Sequence, residues 1–312
     1  MVNCQIVNII YMAKHSLQEW IVATRPWSFT ASALSVVVVL AYLEWIFGDI
    51  INIDWCNGLW AVGAIVLFHA AGNTWSDWHD FRRGVDAADT HGVDTLTSGK
   101  FSPSEIRNLA IGLYVVAAMV GLGLVFRAGL PLLWIGIGGL LCAVLYPPLK
   151  YRAMGDVVIL TAYGLLPAIG TSYVAIGRIE WVVMFVAFPV ALLVDSILHA
   201  NNTRDMHTDR RASVSTMAQG LGVKGAVVLY FCEQLIPFVW VAALWVFGFF
   251  PIYSLAVLGL LPVVVRNCRT MSAYKKEADA NAIASLDQHS AQLQLLYCVV
   301  MTLTFFLDKW LR

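Results

Sequence analysis

Nine stretches of mostly apolar residues recur along the chain, at 27–47, 57–76, 106–127, 130–148, 155–177, 180–200, 225–248, 250–266 and 290–310. A helix of roughly 20 apolar residues crosses the ~30 Å hydrocarbon core of a bilayer. Within that core every backbone polar group needs a partner inside the protein, so a chain of this pattern folds as helices laid side by side. Composition agrees, with 59% hydrophobic and only 13% charged residues, outside the range of soluble domains. The expected fold class is an all-α membrane protein, a bundle of nine transmembrane helices with a cytoplasmic cap formed by helix-loop segments. Short polar connections argue for one domain over 27–312. Residues 1–26 carry an apolar patch but no small-residue cleavage site, and Lys14 to Arg25 reads as an interfacial amphipathic helix rather than a signal peptide.

Formal net charge is zero, but its distribution orients the chain. With nine spans and a cytoplasmic N-terminus, all but Arg127, Arg178, Lys309 and Arg312 of the 20 Lys and Arg residues fall inside. That asymmetry satisfies the positive-inside rule and supports the count of nine. Loops on the inner side, 78–105, 203–223 and 267–289, are long and charged, whereas the outer turns are short. Chemistry is therefore expected at the cytoplasmic face. No nucleic-acid partner is expected. Cys4, Cys56, Cys142, Cys232, Cys268 and Cys298 are scattered without a CxxC pair, which indicates neither a disulfide framework nor a zinc or iron–sulfur site.

Two polar clusters close two of the apolar runs. The first is Asn73-Thr-Trp-Ser76-Asp77-Trp-His79-Asp80-Phe-Arg82-Arg83-Gly84-Val-Asp86. The second is Asn201-Asn202-Thr203-Arg204-Asp205-Met206-His207-Thr-Asp209-Arg210-Arg211, and both contain Asn, three residues, Asp, one residue, His. On a helix, positions three and four apart share a face. Asn73, Asp77 and Asp80 should therefore align, with His69 one turn deeper, and Asp195, His199, Asn202, Asp205 or Met206, and Asp209 should form one stripe. Carboxylates with an Asn carbonyl supply the hard oxygen ligands that Mg²⁺ prefers, the ion keeping waters or taking phosphate oxygens besides. Arginines and lysines close to such acids suit a diphosphate, because guanidinium groups pair with the remaining oxygens.

Taken singly, each feature has a plain structural alternative. One charged loop beside a span is usually just solvated, and His79 and His207 are expected to bond locally, since Mg²⁺ avoids imidazole. His69 and His199 lie inside spans, where polar groups either serve function or bond a neighbouring helix. Most of the 12 tryptophans are interfacial anchors.

The clusters resemble the aspartate motifs of the UbiA-type intramembrane prenyltransferases, most nearly the branch that makes menaquinone. Asp77, Asp80 and Asp86 are spaced Asp-x2-Asp-x5-Asp, and Asn201-Asn202-x-Arg204-Asp205-x3-Asp209 is the most specific match. Arg25-Pro26, Lys150-Tyr151 with Gly155-Asp156, and Thr216 with Gly220-Leu-Gly222 are supporting matches, so the resemblance runs from about residue 20 to the end. Ser76 departs from it, standing where many relatives have Asn. The resemblance implies Mg²⁺ held by Asp77, Asp80, Asp205 and Asp209 with Asn73, and assisted by Asn201 and Asn202. It implies a polyprenyl diphosphate gripped by Arg83, Lys150 and Arg204, with Arg25 and Tyr151 as further contacts and Asp86 closing the first motif. An aromatic acceptor, 1,4-dihydroxy-2-naphthoate, would attack the allylic cation and lose its carboxylate. Asp156 or Asp195 is placed to orient ring hydroxyls or accept a proton, and His199 is counted with them among the substrate contacts. The implied setting is the inner cell membrane, with the site facing the cytoplasm.

Three rival readings fit the chain less well. A relative with another acceptor, such as 4-hydroxybenzoate, homogentisate or a sugar phosphate, fits the second motif less well. The CDP-alcohol phosphatidyltransferases need Asp-Gly-x2-Ala-Arg, whereas Asp80 is followed by Phe-Arg-Arg-Gly. An ion-coupled transporter would use Asp195 and His199, but transporter sites lie near the midplane and these acids gather at one face.

Overall fold

The computed structural model describes residues 15–86 and 95–312, without the side chains of 277–278; Lys14 lies outside the described residues. A short helix α1, Leu17–Ala23, starts at a capping box in which Ser16 and Glu19 bond each other's backbone amides. Among the described residues nine helices are long and apolar enough to cross a membrane. They are α2 Pro26–Phe47, α3 Trp55–Arg83, α4 Pro103–Ala128, α5 Pro131–Lys150, α6 Gly155–Ile176, α7 Trp181–Arg204, α9 Met217–Val246, α10 Ile252–Met271 and α11 Asp279–Leu311. Between α7 and α9 lies the two-turn helix α8, Met206–Arg211. No strand is present among the described residues.

The starts of the spans follow from local chemistry. Pro103 and Pro131 sit in first turns, where a missing N–H costs nothing. Ser102 with Glu105 and Thr216 with Gln219 build further capping boxes. α3 ends at Gly84, whose φ of 70° admits the left-handed turn that stops a helix. Three helices run further than their apolar stretches imply. α3 continues through Asp77, Asp80 and Arg83, α7 reaches Arg204, and α9 starts at Met217 with a break at Gly222, φ 67° and ψ 174°. Hydropathy marks only the membrane-buried part of a helix, and these ends project into the polar zone.

Buried side chains concentrate on α2, α7 and α11, which pack together at the centre and enclose Leu40, Tyr42, Leu193, Tyr297 and Phe305. α3 packs most extensively on α4, with α5 alongside. Because lipid tails are as apolar as leucine, close packing rather than water exclusion holds such helices together. Gly164 of α6 shows it: a Cβ there would stand 2.6 Å from the Cβ of Ala191 on α7. The outward faces are apolar, with Val116, Met119, Phe126, Trp134 and Val239 exposed.

Candidate functional site

The first motif occupies the last turns of α3. Asp77 is ion-paired to Arg25. Arg25 sits in the left-handed region at φ 58° between α1 and α2, an uncommon conformation for a residue with a Cβ. Asp80 is the most heavily partnered acid: Lys150 Nζ lies 3.0 Å from Oδ2, Tyr151 donates its hydroxyl to Oδ1 at 2.8 Å, and Ser76 donates to Oδ2 at 3.1 Å. Ser76, the departure from the family pattern, thus braces Asp80. Arg83 lies with its guanidinium 4.5 Å from the Tyr151 ring centre, a cation–π contact. Asn73 uses its amide N–H groups on Thr24 O and Ser28 Oγ, both at 3.0 Å.

The second motif is brought opposite by a break. α7 stops at Arg204, Asp205 takes non-helical angles, and α8 carries Asp209. Arg204 grips Asp205 with two bonds of 2.8 Å and reaches Asp287 of α11 at 3.4 Å. The connection after α5 is tied to the one after α8: Ala153 N donates to Ser215 O at 2.7 Å, and Ser215 N to Tyr151 O at 3.2 Å. Two further left-handed residues, Ala153 at φ 59° and Ser213 at φ 56°, flank this tie. Strain of this kind gathers around sites that the surrounding structure over-determines.

A cavity of about 870 Å³ joins the motifs to the apolar interior. Arg25, Asn73, Asp80, Asp86, Lys150, Asn201, Asn202, Arg204, Asp205 and Asp209 line it. Below them the wall is Ile65, Leu122, Val125, Leu132, Ile135, Leu166 and Val174 from α3 to α6. Burial, with Asp80 next in weight, pushes the carboxyl of Asp86 up to about 6. Burial also raises Asp209 to about 7, with Lys150 pulling it down and Asp205 and Asp80 pushing it up. Acids of both motifs therefore feel one another across one polar end.

Among the described residues no three Asp, Glu, His or Cys groups stand close enough to share an ion as placed. Magnesium does not require it, since it keeps waters and is bound through one or two carboxylates plus phosphate oxygens. The donors fit that mode. Oδ2 of Asp77 is buried without a partner, and Asp86 and Asp209 crowd negative charge that a divalent cation relieves.

The remaining sequence candidates lie elsewhere. Asp77, Arg83 and Tyr151 do not line the cavity; Asp77 pairs with Arg25, Tyr151 bonds Asp80, and Arg83 lies over Tyr151. Asp156, Asp195 and His199 do not line the cavity. They form a buried group with Glu233, in which His199 Nδ1 lies 3.9 Å from both Asp156 and Glu233 while Nε2 bonds Ala226 O at 3.0 Å. The single stripe from Asp195 to Asp209 is thus corrected: α7 turns Val194, Ile197, Leu198 and Asn201 to the cavity, so Asp195 and His199 on its neighbouring face do not reach it, while Asn202, Asp205 and Asp209 do. Sequence reasoning passed over Glu233, although an acid inside the 225–248 run is itself a signal. It also passed over Asp287, which only the fold brings to Arg204. His79 packs among Trp75 and Trp78, and His207 is exposed.

Fold and site together define a membrane-embedded protein with an acid- and base-lined polar end on a long apolar cavity. The chain belongs to the UbiA prenyltransferase family, which residues 36–291 match. It is 32% identical over 225 residues to "UbiA prenyltransferase domain-containing protein 1" of Danio rerio, covering 70% of this chain and 66% of that one. The Homo sapiens protein of the same name is 28% identical over 286 residues, with 89% and 80% covered. The chain thus spans just under two thirds of the zebrafish relative's length. In structure it resembles a UbiA homolog from Archaeoglobus fulgidus bound to GPP and Mg²⁺, with TM-score 0.60 and 15% identity over 91% of this chain and 99% of that one. A digeranylgeranylglyceryl phosphate synthase gives TM-score 0.61 at 16% identity, with 93% and 98% covered.

Proposed function

We propose that this protein transfers a polyprenyl group from a polyprenyl diphosphate to an aromatic acceptor, with 1,4-dihydroxy-2-naphthoate as that acceptor and loss of its carboxylate. The observation that carries the reading is the convergence of both Asn/Asp motifs and Lys150 on the polar end of one apolar cavity. Family membership and the GPP- and Mg²⁺-bound homolog support it. The menaquinone-type acceptor rests on the Asn201-Asn202-x-Arg204-Asp205 motif, while the animal relatives define the family more broadly. By the bias of Lys and Arg, we place the polar end toward the cytosol.

Asp80, Asp86, Asp205 and Asp209 would hold Mg²⁺, with Asn201 and Asn202 beside them and Asp77 reached once Arg25 turns to the diphosphate. Bound there, Mg²⁺ neutralises charge developing on the diphosphate as the C–O bond breaks. Lys150 and Arg204 pair with the remaining diphosphate oxygens, and Tyr151 with Ser76 holds Asp80 in place. The apolar wall takes the prenyl chain and keeps water from the allylic cation. Membranes carrying the protein are incubated with labelled geranylgeranyl diphosphate, Mg²⁺ and each aromatic acid separately. A prenylated naphthoquinol is expected only with the naphthoate and Mg²⁺; product with 4-hydroxybenzoate alone would sink the choice of acceptor.

A further inference from the structure

His69 is a polar group in the cavity wall to which prenyl transfer, as described so far, gives no role. It sits on α3 one turn below Asn73, about 6 Å further along the helix axis, where diphosphate gives way to hydrocarbon. Its ring is half-buried, and the cavity is what it faces.

Two hydroxyls flank the ring. Ser32 Oγ lies 3.0 Å from Nδ1 and Ser28 Oγ lies 3.3 Å from Nε2. Each hydroxyl already donates its proton to a backbone carbonyl, Ser28 to Arg25 O at 2.8 Å and Ser32 to Phe29 O at 3.0 Å. A hydroxyl has one proton and two lone pairs, so both oxygens turn acceptors toward the imidazole. Asn73 donates to Ser28 as well, so a second donor, from Nε2, would complete that oxygen. A neutral ring donates through one nitrogen only, whereas an imidazolium donates through both. The two serine oxygens therefore offer an acceptor to each N–H of a protonated ring. Phe29 and Tyr163, with ring centres 5.6 and 5.2 Å away, close over it.

We propose that His69 accepts the hydroxyl proton of the aromatic acceptor at Nε2, relayed by Ser28, as the ring attacks the prenyl group; this rests on the aromatic prenyl transfer read above. The bonds balance. The C1–O bond of the prenyl diphosphate breaks and its pair leaves with diphosphate, while a ring π pair forms the new bond to C1. The hydroxyl oxygen becomes a carbonyl as its proton passes to Ser28, whose own proton swings from Arg25 O to Nε2. The substituted ring regains aromaticity by losing carbon dioxide, and the pair of the broken C–C bond returns to the carbonyl oxygen, which takes back the proton from Nε2 through Ser28. Until then the Ser28 and Ser32 oxygens hold the imidazolium.

The charged groups lining the same cavity are Arg25 from the start of α2, Asp80 from α3 and Asp86 after it, Lys150 from α5, Arg204 from α7, Asp205 and Asp209 beyond it, and Asp287 from α11; α5 and α6 add the Tyr146 and Tyr163 phenols. The test uses the full chain in lipid nanodiscs with Mg²⁺, geranylgeranyl diphosphate and the naphthoate, measuring kcat against pH. The wild-type rate should fall on the acid side, where the ring is already protonated. His69→Gln should lower kcat by about 10²–10⁴-fold and abolish that acid limb, with KM for the diphosphate little changed. A His69→Gln protein with wild-type kcat and pH profile overturns the proposal. If that variant does not fold, Ser32→Ala reads the same group. Loss of an acceptor for Nδ1–H destabilises the imidazolium, so the acid limb should move to lower pH; an unmoved limb overturns the proposal. Wild-type protein that prenylates no aromatic acid defeats the proposed function itself, whatever the variants do.

Discussion

Lys150, Tyr151 and Ser76 all hold Asp80, so the best-anchored acid of the site is fixed from α3, from α5 and from the connection that follows α5. Replacing Lys150 by Met leaves a buried carboxylate short of its cation and takes a cation from the diphosphate. Truncating one partner of a buried charge pair costs about 2–5 kcal/mol; Lys150→Met should therefore lower kcat/KM by roughly 100-fold or more in Mg²⁺-dependent turnover, and an unaltered value would refute the role given to Lys150. Glu233 offers the reverse case. Both its oxygens are buried and unbonded, and it shares its surroundings with Asp156, Asp195 and His199 away from the cavity. An unpaired buried polar group costs about 1–3 kcal/mol. Glu233→Met should raise the unfolding temperature in detergent and keep prenyl transfer; a lower unfolding temperature would show that the carboxyl bonds its neighbours through ordered water.

At the scale of elements, the informative helix is α6. Residues Thr161–Leu165 form a π-helical turn, a feature frequent at functional sites. The turn includes Tyr163, which closes over His69, and Gly164, which lets α6 approach α7. A methyl group at Gly164 would meet Ala191 at 2.6 Å, backbone-fixed on both sides. Overpacking of this kind costs about 1–3 kcal/mol. Gly164→Ala should lower the unfolding temperature and weaken acceptor turnover more than diphosphate binding. Thermal unfolding and the two KM values test this; unchanged stability would mean that α6 and α7 part freely.

Across the whole molecule, the cavity descends from Lys150 to Leu132 along α5, eighteen residues or about 27 Å of helix, close to the full ~30 Å hydrocarbon thickness. Gly121, Gly136 and Gly139 line its deeper part, and a Cβ at any of them meets open space. Their missing side chains leave room for the prenyl tail. Gly139 lies about 16 Å below Lys150, so Gly139→Phe should plug the cavity at mid-depth. Geranyl diphosphate should still be used, while turnover of geranylgeranyl diphosphate falls by roughly tenfold or more. Competition between the two donors measures it; an unchanged preference would place the tail elsewhere.

Nine spans are legible in the amino-acid order, since a bilayer core accepts little but apolar helices of fixed length. It also marked the polar ends of α3 and α7, because acids and arginines at such spacing stand out against an apolar chain. Its blind spots have physical causes. Hydropathy ends where a helix leaves the lipid, so it stopped short of Arg83 and Arg204 on helices that continue beyond it. Helical periodicity gives spacing but not the rotation of a helix against its neighbours, so it grouped Asp195 and His199 with Asn202 although α7 turns Val194, Leu198 and Asn201 to the cavity. Contacts between distant segments carry no local signal: Arg25 on Asp77, Arg204 on Asp287, and the two serines around His69 are matters of helix packing. Tertiary structure alone decided which polar residues share the cavity and which, like Asp156, Asp195, His199 and Glu233, are sealed behind it, because that depends on how each helix is rotated against its neighbours.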